Sequence, residues 1–261
     1  MIMNTNFLIS SYERQEQLHD LITKLQRISI AQICQHFSIS EATARRDLDA
    51  LAEKGKIRRV HGGAIAIQQA PPELPVLQRA AEQAEHKRQI GKLAATLVKD
   101  GDTIFLGSGT TVLEVARCLQ DRQQLTVVTN SLLVVNALST APGITLIGLG
   151  GIFRRSELSF IGHITEQAEA ELHADKIILG IHALDPEGGL TSDYLQETMT
   201  DRAILRSGKQ VIIVADHSKC GRVSTAFVAP ITVVNTLVTN RDIQDKQVEE
   251  LVAKGIRVLT A

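Results

Sequence analysis

The sequence contains no tryptophan, and among its 261 residues only three are cysteines, six are prolines and 3% are aromatic. The cysteines, Cys34, Cys118 and Cys220, are odd in number and far apart, which argues against a disulfide framework and indicates reduced thiols in a cytoplasmic protein. No stretch reaches the ~18 consecutive apolar residues of a membrane-spanning helix, so we expect no membrane association. Residues 1–7 have no basic region followed by an apolar core, so we expect no signal peptide.

The composition is that of a folded globular chain, since 44% of the residues are hydrophobic and 22% are charged. At roughly 100–200 residues per domain, the length predicts one large domain or two smaller ones. The formal net charge is only -1, but residues 54–61 carry four lysines or arginines and no acid. Such a basic stripe indicates anion binding, although a solvated charged face would have the same composition.

The first part of the chain has the pattern of three short helices. Apolar residues spaced i, i+3, i+4 and i+7 over positions 18–25 predict the first helix. Ser29 with Gln32 three residues later predicts a capping box at the start of the second helix. Ser40 is expected to cap the third helix, and Gly55 to end it. The three-residue interval between the second and third helices is typical of a helix-turn-helix.

A β-hairpin is predicted directly after these helices. Two short β-prone runs, residues 57–60 and 64–67, flank paired glycines, and a tight hairpin turn requires positive φ angles. Residues 11–67 are therefore predicted to form a winged helix-turn-helix DNA-binding domain. Residues 68–85 hold three of the six prolines and are interpreted as a linker.

Residues 86–261 alternate strand and helix patterns and are predicted to form an α/β domain that senses an effector. Several of the strand candidates are continuous runs of valine, isoleucine and leucine, which favours a mostly parallel sheet covered by helices on both faces. Helices are predicted between the strands, for example over 111–119 and 195–206. The strand candidates are 103–107, 125–130, 144–148, 176–180, 210–215, 236–240 and 256–260.

The third helix and the hairpin supply candidate DNA-binding side chains. Arginine can bond guanine through two nitrogens or hold a phosphate, and threonine can contact a base edge. Three nearby acids, Glu41, Asp47 and Asp49, weaken this interpretation, and the alternative is a small helical domain or adaptor that binds another protein. The candidates for binding double-stranded DNA are Ser40, Glu41, Thr43, Arg45, Arg46, Arg58, Arg59 and His61.

Small and polar residues follow several of the predicted strands and suggest an effector pocket. Ligands of open α/β sheets lie beyond the carboxyl ends of the strands, and a helix that starts there favours an anion. Each of these residues is also typical of an ordinary turn or cap. The chain satisfies neither nucleotide-binding fingerprint, so we expect no cofactor. The candidate effector-binding residues are Gly107, Ser108, Gly109, Thr110, Thr111, Asn130, Ser131, Gly150, Gly151 and Lys219.

Metal binding and catalysis are not expected from the sequence. His217 and Cys220 are three residues apart, and His173 and His182 flank a predicted strand, but no compact cluster of metal ligands emerges. No Ser/His/Asp order suggests a nucleophilic triad.

Two motifs of the amino-terminal segment resemble the DeoR family of bacterial transcription regulators. Residues 40–48 match the pattern S-x-x-T-x-R-R-D-L, and residues 58–64 resemble the family's R-x-H-G-G-A wing. The second segment is similar to the family's sensor domain, which shares its fold with ribose-5-phosphate isomerase. The chain departs from the family at Gly107, where an acid is common, and at Cys220, where an aromatic residue is frequent. The matching sensor stretches are 101–104, 108–111, 128–131, 150–154 with Ser159 and Gly162, 174–176, 189–191 and 216–219.

The resemblance implies a repressor that a phosphorylated sugar or related metabolite releases from its operator, controlling a carbohydrate-metabolism operon. A homo-oligomer, either a dimer or a tetramer, is expected because paired recognition helices multiply weak half-site contacts. The alternative is a sugar-phosphate isomerase or deaminase with an added DNA-binding domain. Asp193 and Glu197 are the carboxylates we nominate as the base of such an enzyme.

Overall fold

The computed structural model describes residues 10–261, and the chain divides at Gln68 into two compact units. We call residues up to 68 the amino-terminal unit and residues 69–261 the sensor unit. The stretch considered for a signal peptide, residues 1–7, lies outside the described residues. No helix among residues 10–261 is long and apolar enough to cross a bilayer. The thiols of Cys34, Cys118 and Cys220 are all free.

The amino-terminal unit contains three helices and a small antiparallel sheet, as the sequence predicts for a winged helix-turn-helix. Its sheet has the strand order β1-β3-β2. Apolar residues from all three helices and from the sheet form one buried core. The elements are α1 (Ser11–Leu25), β1 (Arg27–Ser29), α2 (Ile30–Phe37), α3 (Glu41–Glu53), β2 (Ile57–Val60) and β3 (Gly63–Ala66).

Local signals in the sequence account for the helix ends. Ser29 and Gln32 form the predicted capping box, in which the Gln32 side chain accepts from the Ser29 N–H at 2.9 Å. The Ser40 hydroxyl accepts from the Thr43 N–H at 3.3 Å and caps α3. Gly55, with φ +66°, follows the end of α3 in the left-handed conformation that glycine adopts easily. Of these three, the Ser40 cap lies in the turn between α2 and α3.

The predicted hairpin is present, but its two glycines have different roles. His61 and Gly62 form the two-residue turn, and Gly62 has a φ of +79°. Gly63 is already the first residue of β3, where a Cβ atom would lie 2.1 Å from the carbonyl oxygen of Ile28 in β1. Glycine at 63 therefore allows β1 to approach the wing.

The sensor unit is built on a seven-stranded, wholly parallel sheet with the order β17-β16-β13-β10-β5-β6-β7. All seven strands predicted from continuous apolar runs belong to this sheet. The strands at the division and in the sensor unit are β4 (Gln68–Gln69), β5 (Thr103–Leu106), β6 (Leu125–Thr129), β7 (Ile144–Gly148), β8 (Ile152–Arg154), β9 (Ser159–Ile161), β10 (Ala174–Leu179), β11 (Ala183–Asp185), β12 (Gly189–Ser192), β13 (Gly208–Val214), β14 (Arg222–Val223), β15 (Ala226–Ala229), β16 (Thr236–Thr239) and β17 (Arg257–Thr260).

Helices cover both faces of this sheet. Ile104 and Leu106 of β5 belong to one apolar cluster, and Phe105 between them belongs to another, because successive side chains of a strand point to opposite faces. Each face therefore carries its own buried core. The helices are α4 (Val76–Arg79), α5 (Ala84–Ala95), α6 (Thr110–Cys118), α7 (Leu132–Leu138), α8 (His163–Ala170), α9 (Leu195–Ser207) and α10 (Asp245–Ala253), with 3-10 turns at His217–Lys219 and Ile231–Val233.

Residues 70–85, interpreted from the sequence as part of a linker, pack on the sensor unit in the structure. The Ala70 N–H donates to the Val223 carbonyl at 2.9 Å, and Val76 is buried. Arg79 is also buried and donates to carboxylates of Glu73 and Glu157. The prolines keep this segment extended, but buried apolar and ionic contacts anchor it to the sensor unit.

Candidate functional site

The helix α3 presents two adjacent arginines to solvent. Arg45 and Arg46 are both exposed, and Arg45 Nη2 lies 3.3 Å from the carboxylate of Glu41 one turn earlier. Arg46 has no hydrogen-bond or ion-pair partner among residues 10–261. Thr43 is half-buried, and its hydroxyl lies 3.0 Å from that of Ser40. A free guanidinium beside a weakly paired one is suited to a phosphate or a guanine edge.

The acids that weakened the DNA-binding interpretation are occupied within the unit. Asp47 is buried, and its carboxylate accepts from Arg14 Nε at 2.6 Å and from Gln15 Nε2 at 3.2 Å. Asp49 lies 3.2 Å from Arg59 Nε. Asp47 therefore joins α3 to α1 and does not oppose an approaching phosphate.

The basic stripe at 54–61 is only partly available. Lys54 donates to Gln15 at 3.1 Å and Lys56 to Glu16 at 2.6 Å, so both lysines bind α1. Arg58 and Arg59 on β2 are half-buried, and each has an interaction within the chain. His61 is exposed at the tip of the wing.

The sensor unit has a cleft of about 100 Å³ at the carboxyl ends of β5, β6, β10 and β13. β5 and β10 are neighbours in the sheet, but the strand that follows β5 in the order, β6, lies on one side of this pair and β13, the neighbour of β10, lies on the other. The cleft lies at this change of direction, which is the usual ligand position in an open α/β sheet. Seven of the ten predicted effector residues line it, namely Gly107, Ser108, Gly109, Thr110, Thr111, Asn130 and Lys219.

One wall of the cleft is the start of α6. Gly109 is the N-cap residue, and α6 has no side-chain cap. Its φ is +107°, and no atom lies within 4 Å of where a Cβ would be, so the backbone is open to a ligand. The N–H groups of a first helical turn need partners from outside the helix. This wall is therefore able to bind an anion.

Asn130 offers the cleft an unused acceptor. Its side-chain nitrogen donates to the Phe160 carbonyl at 2.9 Å, and this bond fixes the orientation of the amide. Its Oδ1 is buried and has no partner among the described residues. Because a buried polar atom without a partner is costly, a ligand hydroxyl is the natural donor to this oxygen.

Several charged residues of the cleft were not predicted. Six carboxyl side chains but only three lysine or arginine side chains line it. Lys87 is buried and donates to the Arg79 carbonyl at 2.7 Å, and His182 is buried with its Nδ1 3.5 Å from the Glu73 carboxylate. No local pattern marks them, because their burial depends on contacts with distant segments. Besides Glu197, which the sequence nominates as a base, the additional charged residues are Glu73, Arg79, Glu82, Lys87, Glu157, Asp201 and Asp216.

The surroundings of these carboxyl groups move their pKa values in opposite directions. Burial would raise the pKa of Glu73, but the ring of His182 and the charges of Arg79 and Lys219 outweigh it and lower the pKa to about 2. Burial raises the pKa of Glu157 to about 7, although Arg79 opposes the shift. Glu73 is thus an ion-paired carboxylate, and Glu157 is a carboxyl group that titrates near neutrality.

Three predicted effector residues lie outside the cleft lining and serve the fold. The Ser131 hydroxyl accepts from the Val134 N–H and caps α7. The carbonyl of Gly150 accepts from the Thr165 hydroxyl at 2.8 Å. A Cβ at Gly151 would lie 2.2 Å from that hydroxyl, so glycine there permits the contact.

The two carboxylates nominated as enzymatic bases are already engaged. Glu197 is buried against Arg154 in an ion pair, and Asp193 accepts from the Glu73 N–H at 2.8 Å. Glu73, His182 and Asp193 have the spacing of metal ligands, but Glu73 is occupied by Arg79 at 2.6 Å. This group is therefore an ion-pair network.

Comparison with known protein families gives two matches that together span most of the chain. The DeoR-like helix-turn-helix domain matches residues 14–70, and the DeoR C-terminal sensor domain matches residues 82–241. The chain belongs to the DeoR family. Its helix-turn-helix binds DNA, and its sensor domain responds to an effector.

Individual relatives agree with this assignment over nearly their whole length. A protein of Agrobacterium fabrum named transcriptional repressor AccR is 37% identical over 233 residues, covering 88% of this chain and 90% of the relative. The glycerol-3-phosphate regulon repressor of Escherichia coli is 35% identical over 231 residues, covering 87% and 91%. The prediction of a transcriptional regulator, not an enzyme, is confirmed by these relatives.

Among solved structures, ribose-5-phosphate isomerase A of Neisseria gonorrhoeae is 14% identical and covers 51% of this chain and 52% of its own, with a TM-score of 0.39. The isomerase of Methanocaldococcus jannaschii is 19% identical and covers 53% and 55%, with a TM-score of 0.41. Both TM-scores are too low to carry an argument about function.

Proposed function

We propose that this DeoR-family regulator is a cytoplasmic repressor of a carbohydrate-metabolism operon, released from its operator by a phosphorylated sugar. The observation that carries the proposal is the cleft, in which Lys219, the uncapped start of α6 and the unpartnered oxygen of Asn130 share one lining. Lys219 and the start of α6 can bind a phosphate, and the Asn130 oxygen can accept a hydrogen bond from a sugar hydroxyl. Relatives named as repressors, one of them of a glycerol-3-phosphate regulon, support this.

The proposed ligand lies with its phosphate toward α6. Backbone N–H groups at Ser108–Thr111 and the Lys219 ammonium neutralise the phosphate, with the helix dipole adding ~0.3–1 kcal/mol. Sugar hydroxyls face Asn130 and the carboxyl groups of Glu157 and Glu197. Carboxyl groups recognise hydroxyls well, and the excess of acids in the cleft disfavours a ligand with a second phosphate.

On DNA, the proposed contacts come from α3 and the wing. Arg45 and Arg46 are assigned to base edges or phosphates, and Ser40, Glu41 and Thr43 to the amino-terminal end of the recognition helix. Arg58, Arg59 and His61 are assigned to the backbone or the adjacent minor groove. The exposed positions of Arg45, Arg46 and His61 support this assignment.

Self-association is proposed through exposed apolar residues of the sensor unit. Leu195 is 72% exposed, Met199 53% and Phe227 50%. Arg202 contacts the Met199 sulfur at 3.7 Å and donates to the Phe227 carbonyl, which brings these side chains into one patch. Exposed apolar patches mark interaction sites, and a homo-oligomer would bury this one. Light scattering should show a mass above one chain that Leu195→Glu reduces.

The DNA assignment is tested with a duplex selected from a random library by the full chain. Arg46→Ala should weaken binding by about 1–3 kcal/mol for each recognition helix, roughly 5- to 150-fold. The affinity of the wild-type protein should also fall steeply as salt rises, because phosphate contacts release counterions. Arg88→Ala, an exposed arginine of the sensor unit, is the matched control. Equal affinities of the Arg46 and Arg88 variants would refute the assignment.

The effector assignment is tested by thermal unfolding with phosphorylated sugars and their unphosphorylated parents. A ligand of the native state raises the melting temperature by mass action, so only phosphorylated compounds should stabilise the protein. Lys219→Met should abolish that shift, whereas Lys209→Met, at a lysine whose side chain is 79% exposed, should leave it intact. Equal shifts with the parent sugars would contradict the proposed phosphate site.

A further inference from the structure

Three side chains from separate segments of the sensor unit converge beside the cleft. His86 lies in the first turn of α5, His217 in the 3-10 turn after β13, and Asp242 in the loop after β16. Asp242 Oδ2 lies 3.4 Å from His86 Nε2 and 3.9 Å from His217 Nδ1. One potential ligand atom from each residue lies within 4.8 Å of the others. The side chains of His86 and His217 are 32% and 31% exposed, and that of Asp242 is 58% exposed.

Hydrogen bonds around the cluster leave ring nitrogens facing inward. His86 Nδ1 lies 2.8 Å from Gln83 Oε1, an acceptor, so Nδ1 carries the proton and Nε2 presents a lone pair toward Asp242. Asn240 Oδ1 accepts from the His217 N–H at 2.7 Å, so its Nδ2 faces Asp242 Oδ2 at 3.0 Å and His217 Nδ1 at 3.0 Å. The Gln83 bond is of the outer kind that orients metal-binding histidines. The Asn240 Nδ2 bonds hold His217 Nδ1 and Asp242 Oδ2 themselves, so a bound metal would replace them.

We propose that His86, His217 and Asp242 bind a divalent transition-metal ion such as zinc. Ligands ~2.1 Å from a tetrahedral ion are about 3.4 Å apart. Asp242 Oδ2 already lies 3.4 and 3.9 Å from the two histidine nitrogens, and all three ligand atoms lie within 4.8 Å of one another. Two imidazoles and one carboxylate favour zinc, cobalt or nickel over magnesium and calcium, which prefer oxygen ligands. Three protein ligands leave a fourth position for water.

The charge balance of the site also bears on the proposal. Arg241 borders the same surface depression as His86 and Asp242, and its positive charge lowers the affinity for a cation. A simple histidine–carboxylate ion pair is the competing explanation of the cluster. The two explanations differ in one measurable property, because only a metal site binds a transition-metal ion with a stoichiometry of one per chain.

The test titrates the full chain, without an affinity tag and stripped with a chelator, with Co²⁺ while visible absorption is recorded. We expect one cobalt ion per chain, with the intense absorption of a tetrahedral site, displaced by Zn²⁺ but not by Mg²⁺. His86→Asn and Asp242→Ala, on separate elements, should each weaken cobalt binding at least tenfold. Circular dichroism checks that each variant is folded, and a variant that is not is replaced by His217→Asn.

His19→Asn is the matched control, because His19 also lies beside a carboxylate, Asp20, at 3.8 Å but is in no three-ligand group among residues 10–261. Its cobalt affinity should equal that of the wild-type protein. The proposal is overturned if wild-type protein binds no cobalt, or if folded His86 and Asp242 variants bind it as tightly as the control.

Discussion

The contact between α1 and the recognition helix provides the sharpest prediction. Asp47 on α3 is 4% exposed at its side chain, and the partner Arg14 on α1 is 16% exposed. Two nitrogens of Arg14 donate to this carboxylate, at 2.6 and 3.1 Å. The hydrogen bond and charge of Asp47 raise the pKa of Arg14 above its usual value, against the effect of burial. Asp47→Ala therefore leaves a nearly buried guanidinium without its counterion.

The expected cost follows from that burial. Removing one partner of a buried ion pair costs about 3–5 kcal/mol, and the small exposure of Arg14 places this case near the lower end. At ~0.05–0.15 kcal/mol per residue, a unit of this size has a free energy of unfolding of roughly 3–9 kcal/mol. The substitution should therefore lower the free energy of unfolding of the amino-terminal unit to roughly 0–6 kcal/mol and weaken DNA binding.

Native-state hydrogen exchange of the full chain measures this effect locally. Amides of α1 and α3 should lose protection in the Asp47 variant, while those of the parallel sheet stay protected. Asp49→Ala is the control, since its pair with Arg59 is exposed and is worth only about 0–1 kcal/mol. A double-mutant cycle with Arg14→Ala should give a coupling of ~1–3 kcal/mol. Independent, additive effects of Arg14→Ala and Asp47→Ala would refute the reasoning.

Two further predictions concern pH and the wing. Because the pKa of Glu157 is raised in the folded state to about 7 from its ordinary value of 4.5, its contribution to stability is complete below pH 4.5. That contribution is lost as pH rises through 7. Glu157→Gln should flatten the fall in melting temperature between pH 5 and 8; an unchanged pH profile would contradict the shift. Gly63→Ala should weaken operator binding without changing sugar-phosphate binding, because its Cβ would lie 2.1 Å from the Ile28 carbonyl oxygen; unaltered operator affinity would count against this contact.

Local chemistry is what the sequence predicts well in this protein. The caps at Ser29 and Ser40 and the glycine at 55 depend on neighbours within three or four residues, and each is present as predicted. The parallel strands follow from apolar runs long enough to be buried on both faces, such as β13. Both signals are visible in a single sequence because they are short in range.

Long-range contacts account for what the sequence does not show. β1 is only three residues long and exists through pairing with β3, at least 34 positions later in the chain. In the sequence, Asp47 is an acid on the predicted DNA-facing helix. In the structure, Arg14, 33 positions away, neutralises its charge. Arg79 looks like part of a proline-rich linker, yet it is bound by Glu157, 78 positions away.

The position of the segment 70–85 bears on how a ligand could influence DNA binding. This segment follows directly from the amino-terminal unit and contributes Glu73, Arg79, Glu82 and Gln83 to the cleft lining. A phosphate bound at Lys219 would compete for the charge that now lies 3.9 Å from Glu73 and would alter the ion pairs that anchor the segment. Because coupling between two ligands is reciprocal, operator binding must then weaken the binding of the sugar phosphate by the same factor. Sequence patterns did not reveal the charged residues of segment 70–85. These residues thus provide the most direct connection along the chain between the cleft and the amino-terminal unit.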